Sequence, residues 1–233
     1  MPQIKIGSLT LSPQERPLIA VPLTDRDVSS VETLLTADIA ELRIDMFSDL
    51  HLPHITDIFK TFKEKFPGVP VIATCRSKEE GGAAAIADEV RVEIFTNIID
   101  LTDAVDIEVE SDISAEIATL TSKHSKTLIA SYHNFSQTPG EKKLEAVYEQ
   151  GRQIGARIVK IAVTPNNMTD IKRLTEFTLN HRPVVAIAMG DKGMASRIFL
   201  PLVGSLFTFA SLETVTAPGQ LSIDEVRKFY QTF

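Results

Sequence analysis

Eight short runs of apolar and β-branched residues recur along the chain: LIAVPL, IAELRID, VPVIATC, AVDIEVE, TLIASYH, RIVKIAV, PVVAIAM and SLFTFA. Between successive runs, and once after the last, apolar residues repeat at the period of a helix with one buried face. Ile55, Ile58, Phe59 and Phe62 form one such stripe, Val90, Ile94, Phe95 and Ile98 a second, and Leu144, Val147 and Tyr148 a third. Strict strand–helix alternation calls for parallel strands joined by right-handed crossovers, hence an α/β sheet with its helices outside. Eight units within 233 residues fit a closed (β/α)8 barrel better than an open sheet. No linker divides the chain, so we expect a single domain over residues 1–233. Residues 16–233 would form the barrel, and residues 1–14 a hairpin in which IKIGSLTL turns about Gly7 and Ser8 and closes the bottom. Capping boxes are expected at Thr138 with Glu141 and at Ser222 with Glu225, with Pro139 in a first helical turn.

The first twenty residues lack a basic start followed by an apolar stretch, and no later segment reaches eighteen uninterrupted apolar residues. We therefore expect a cytoplasmic protein that does not engage a membrane. The single cysteine, Cys75, makes neither an internal disulfide nor a thiolate metal cluster. His51 and His54 are the only close histidine pair and read as surface residues, so no metal site is expected. With 24 Lys+Arg against 31 Asp+Glu the net charge is −7, which disfavours nucleic acid as a partner. The same charge repels a small anion at long range, so an anionic ligand would need locally placed arginines.

In such a barrel chemistry sits where strands end, and the period of two decides which side chains share a face. Lys160 lies in an otherwise apolar strand, with Ile158 and Ala162 on its own face. A buried ammonium is costly, and a neutral amine attacks a ketone to form an imine. The alternative is an ion pair with a neighbouring strand carboxylate such as Glu108. His133 ends the preceding strand, pointing into the same mouth, as a proton exchanger or as a structural residue. Glu41 and Arg43 face one way, toward a ligand or toward each other. Arg76 and Glu80 lie in the loop after the third strand, where Gly81 and Gly82 let it fold inward, or merely in a polar loop. Asp106 and Glu108 share a face, either supporting Lys160 or forming an acidic layer. Arg197 opens a helix, where it binds a carboxylate or lies at the surface. TAPGQ carries Thr216 and Gln220, presented to a ligand or part of a plain connector. GDKG is a weak phosphate-loop signal.

The segments ELRID, TCRSKEEGG, DIEV, SYHNF, IVKIAV, MGDKGMASR and TAPGQ follow one another in the order and approximate spacing of the type I 3-dehydroquinate dehydratases, which the chain resembles from about residue 16 to residue 230. That resemblance implies a TIM barrel and a homodimeric lyase with 3-dehydroquinate as substrate, set in aromatic amino-acid biosynthesis in preference to quinate breakdown, which the same dehydration also serves. It implies that Lys160 condenses with the C3 ketone, that His133 removes the C2 proton and protonates the departing C1 hydroxyl, and that Glu80 orients His133. Glu41, Arg43 and Arg76 would hold ring hydroxyls, Arg197 the carboxylate, and Gln220 and Thr216 a closing loop. The family commonly has serine at the position of Thr216. An imine is its own electron sink, so no metal or bound coenzyme is implied. Two rival readings are a class I aldolase, which would need a convincing phosphate site, and a non-catalytic ligand-binding regulator, which could dispense with Lys160 or His133.

Overall fold

In a computed structural model of the chain, residues 3–11, 16–34, 36–212 and 219–231 are described. Eight barrel strands run in order: β1 (Leu18–Leu23), β2 (Ile39–Arg43), β3 (Val71–Thr74), β4 (Ala104–Glu108), β5 (Thr127–Asn134), β6 (Ile158–Val163), β7 (Val184–Ala188) and β8 (Phe207–Phe209). The alternating helices are α1 (Asp25–Ser30), α2 (Leu52–Lys65), α3 (Asp88–Ile98), α4 (Ser114–Lys123), α5 (Glu141–Gln153), α6 (Met168–Asn180), α7 (Ser196–Leu202) and α8 (Ile223–Tyr230). From β1 to β7 each strand pairs in parallel with the next, and β8 pairs with β1. The remaining seam, between β7 and β8, is held by a bridge of Val184 with Ser205 and by the Ala186 N–H, which donates to Ser205 Oγ at 3.0 Å. The expected α/β barrel is therefore what forms.

Alternation along the strands divides the core in two. Val159, Ile161 and Val163 of β6 point outward and pack with the helices, whereas Ile158 and Ala162 point inward with Ile39, Ile72, Ala104, Ile129, Val185 and Phe207. The N-terminal hairpin pairs Ile4–Ile6 with Leu9–Leu11 and inserts Ile6 and Leu11 into the inner cluster. Thr127 at the start of β5 donates to Lys5 O at 2.6 Å, so the hairpin covers the end of the barrel where strands begin. The inner layers above the apolar floor carry Glu41, Thr74, Asp106, Ser131 and Lys160, all buried.

Two local expectations are corrected. Val90 does not complete the apolar stripe of α3: it is 42% exposed, and Arg91 takes the buried place because Glu108 and the Cys75 carbonyl meet its guanidinium there. Thr138 and Glu141 form no capping box. Arg173 of α6 donates to both the Thr138 and Pro139 carbonyls, Gly140 is extended, and α5 begins only at Glu141, after Pro139. Ser222 and Glu225 do form theirs, as do Thr24 and Asp27.

Candidate active site

The β5–β6 register places Ser131 opposite Lys160 and His133 opposite Ala162. Lys160 and His133 thus stand on adjacent strands in successive inward layers, at the end where strands give way to loops. Lys160 is 4% exposed. Its ammonium donates to Asp106 Oδ2 at 3.0 Å and Glu41 Oε1 at 3.2 Å, and lies 4.3 Å from the centre of the Phe209 ring. Two carboxylates and an aromatic face together stabilise positive charge at this nitrogen.

Glu108 is not the partner of Lys160. It accepts from Arg76 Nη1 at 2.7 Å, from the Ser77 N–H at 3.0 Å and from Arg91. Arg76 also donates to Asp106 Oδ1 at 2.7 Å, and Ser131 Oγ donates to the same oxygen at 2.6 Å. Asp106 therefore has one oxygen fixed by Arg76 and Ser131 and the other turned to Lys160. Burial pushes its carboxyl up, but the Arg76 and Lys160 charges outweigh that and hold it well below the usual carboxylate range. Nor do Glu41 and Arg43 form the self-contained pair that the sequence left open. Glu41 receives the Thr74 hydroxyl as well as Lys160, while Arg43 makes a two-pronged ion pair with Asp45.

Glu80 ends a short 3-10 turn, Lys78–Glu80, and reaches His133. The main-chain N–H of His133 donates to Glu80 Oε2 at 2.8 Å, and Nδ1 lies 2.9 Å from that same oxygen. An oxygen already accepting the main-chain N–H is best placed to accept a second, so Nδ1 carries the proton and Nε2 is the ring's acceptor. Burial first, then the Arg76 and Lys160 charges, hold the imidazole well below its usual pKa, and burial pushes the Glu80 carboxyl up to about 8. Both shifts express the cost of charge in this enclosed pair. The neighbouring Gly82 permits the fold of the loop, since a Cβ there would stand 2.1 Å from the Arg76 carbonyl oxygen.

Arg197 is not a surface residue. At the start of α7 it is 2% exposed, donates to the Phe209 carbonyl at 3.4 Å, and is pulled down to about 10 by burial. Gln220 follows Gly219, whose φ of +68° and whose 2.4 Å approach of a would-be Cβ to the Gly190 carbonyl oxygen press the loop after β8 against the loop after β7. Glu41, Arg43, Arg76, Glu80, His133, Lys160, Arg197 and Gln220 all line one cavity, together with Pro22, Ile187, Met189 and Phe209. Thr216 lies outside the described residues. The GDKG segment ties loops together instead, Lys192 donating to the Asn166 carbonyl. His51 is bonded to Asp49, and partly buried His54 meets Asp25.

Four contributors escaped the sequence reading: Asp45, Arg91, Ser131 and Phe209. The period of two puts Ser131 on the face of His133, and Asp45 follows Arg43 by two, so a face-by-face search would have included both. Arg91 and Phe209 carried no comparable local signal. A buried amine, a neutral imidazole and a buried guanidinium in one cavity suit proton abstraction beside a carbonyl on an anionic substrate. Among the described residues no cluster of three or more His, Cys, Asp or Glu is arranged to hold a metal, and no helix is long and apolar enough to cross a membrane.

Comparison with known proteins agrees with this chemistry. The family model for type I 3-dehydroquinase matches residues 19–233. A 3-dehydroquinate dehydratase from Thermodesulfovibrio yellowstonii is 42% identical over 217 residues, 91% of this chain and 94% of that protein. The 3-dehydroquinate dehydratase from Geobacillus kaustophilus superposes with a TM-score of 0.90 at 28% identity, covering 99% of this chain and 95% of that one. The type I enzyme from Clostridium difficile, solved with covalently modified comenic acid, gives a TM-score of 0.90 at 25% identity, covering 99% of this chain and 97% of that one.

Proposed function

Because the chain belongs to the type I 3-dehydroquinase family and is accordingly a hydro-lyase with 3-dehydroquinate dehydratase activity, we propose that it works through an imine of Lys160, with His133 as the proton-transfer group. The observation that carries this reading is the placement of Lys160 and His133 in successive inward layers of adjacent strands, within one cavity.

The Lys160 ammonium gives up one proton and the free amine adds to the C3 carbonyl carbon of 3-dehydroquinate; that proton and a second from the nitrogen go to the former carbonyl oxygen, which leaves as water, giving an iminium. Asp106 and Glu41, already 3.0 and 3.2 Å from Nζ, offset the iminium charge as they offset the ammonium. The iminium withdraws electrons from C2, so His133 Nε2 takes the C2 proton and the electron pair enters an enamine. The enamine expels the C1 hydroxyl, which collects that proton from the imidazolium and departs as water on the same face. Hydrolysis of the conjugated iminium frees Lys160 and 3-dehydroshikimate.

Glu80 holds Nδ1 and thereby fixes which ring nitrogen reacts. Arg197 takes the substrate carboxylate, which offsets the desolvation of its guanidinium and answers the repulsion from a net −7 chain. Glu41, Arg43 and Arg76 meet ring hydroxyls, and Gln220 with Thr216 closes over them. The reaction needs neither metal nor bound coenzyme. We place the enzyme in aromatic biosynthesis in the cytoplasm, as a homodimer whose 233 residues make one catalytic domain.

Borohydride reduction in the presence of 3-dehydroquinate, followed by peptide mass mapping, tests the proposal. Label on Lys160 is expected, and label confined to any other residue overturns it. Growth of conjugated-enone absorbance on adding 3-dehydroquinate separates dehydration from an aldolase reaction through the same lysine.

A further inference from the structure

The loop that carries Glu80 is anchored at both ends on one buried carboxylate. Asp45, 2% exposed, lies just past β2 and accepts the Arg76 main-chain N–H on Oδ1 at 3.2 Å and the Ala83 main-chain N–H on Oδ2 at 3.0 Å. The Arg43 guanidinium braces the same two oxygens, Nε to Oδ1 at 2.9 Å and Nη2 to Oδ2 at 2.8 Å. Between the anchors the chain is closed on itself. The Gly82 N–H donates to the Ser77 carbonyl at 2.8 Å, the Glu80 N–H to Ser77 Oγ at 3.3 Å, and a Cβ on Gly82 would overlap the Arg76 carbonyl. A loop so short and so tightly folded has little freedom to shift one end without shifting Glu80.

From this geometry we infer that Asp45 is a positioning residue: by clamping residues 76 and 83 it sets the place of Glu80, and through Glu80 the orientation and tautomer of His133. The inference rests on the proposal that His133 removes the C2 proton. Asp45 meets four donors with two oxygens, and each oxygen takes one main-chain N–H and one guanidinium N–H. Asparagine, with a single acceptor oxygen and an NH2 group, turns donors against donors on one side. The clamp then opens at Arg76 or at Ala83. A displacement on the order of 1 Å at a proton-transfer group costs up to about a hundredfold in rate.

The test is Asp45→Asn in the full chain, with folding monitored by circular dichroism. The inference expects kcat to fall by roughly tenfold to a hundredfold with KM little changed. Borohydride still traps 3-dehydroquinate on Lys160, because the imine forms before His133 acts, and deuterium at C2 slows the variant more than the parent. In a Glu80→Gln background, Asp45→Asn adds little further loss, since both act on one group. A raised KM with unchanged kcat, placing the effect in Arg43 and binding, overturns the inference, as does full additivity with Glu80→Gln. If Asp45→Asn does not fold, Ala83→Pro removes one anchoring N–H while keeping the Arg43–Asp45 pair, and the same isotope and trapping readouts apply. Absence of Lys160 trapping in the parent enzyme would instead count against the imine itself.

Discussion

Asp106 turns one oxygen to Lys160 Nζ at 3.0 Å while Arg76 and Ser131 hold the other at 2.7 and 2.6 Å. The carboxylate is thus shared between two buried cations. Asp106→Asn keeps the shape but removes the charge that both cations face. Breaking a buried pair in this way costs on the order of 3–5 kcal/mol. Urea unfolding should show a loss of that order, and borohydride trapping at Lys160 should slow. An unchanged unfolding midpoint would mean that Arg76 and Glu108 need no help from Asp106.

Lys160→Ala should leave a folded barrel, by circular dichroism, with no turnover and no borohydride label. Ile158 and Ala162 and the outward residues of β6 keep the strand in place. A variant with a near-normal rate would exclude the imine.

Stability should vary with pH through the His133–Glu80 pair. The unfolded chain protonates His133 below about its ordinary 6.5, whereas the folded chain resists, so the native state weakens as pH falls through that window. Glu80 acts oppositely. Unfolded, it ionises above its ordinary 4.5; folded, burial keeps it protonated to about 8, so the native state weakens as pH rises between those values. The two gradients oppose at acid pH, and above about 6.5 the Glu80 contribution acts alone. Urea unfolding should show stability falling from about pH 6.5 to about pH 8 in the parent enzyme, and Glu80→Gln should lack that fall. Equal slopes would refute it. The acid limb of kcat/KM should lie below about pH 6.5, because His133 stays neutral there.

Arg197→Ala should raise KM for 3-dehydroquinate by roughly tenfold to a hundredfold, the worth of hydrogen bonds to a charged group. Steady-state kinetics checks it, and the effect should shrink for a substrate analogue lacking the carboxylate. A loss confined to kcat would give Arg197 another task.

The barrel was legible because alternation is a local property. Each run of Ile, Val and Ala announces a strand, and the period of two within RIVKIAV already places Lys160 beside Ile158 and Ala162. The same logic located Glu41 and His133, whereas Glu80 stood in a polar loop and only the family resemblance tied it to His133. Partners were another matter. Lys160 chose Asp106 and Glu41 over Glu108 because Arg76 and Arg91 draw Glu108 to the other side, a competition among three strands, a loop and a helix. Val90 reads as part of the buried stripe of α3, but tertiary contacts bury Arg91 beside it instead. The failed cap at Thr138 has the same origin, since Arg173 holds that segment from a different helix.

Phe209 has a consequence for the order in which competence appears. This ring covers Lys160 from β8, which pairs along its length with β1, at the opposite end of the barrel sequence. A nascent chain emerging from the ribosome would present both the lysine and the histidine well before it could present the aromatic face, the Arg197 side of the cavity or the seam that encloses them. Until that last strand docks, the amine remains wet and its ion pairs are screened by water. Catalytic onset during synthesis would therefore time barrel closure, making the reaction itself a clock for the final docking event.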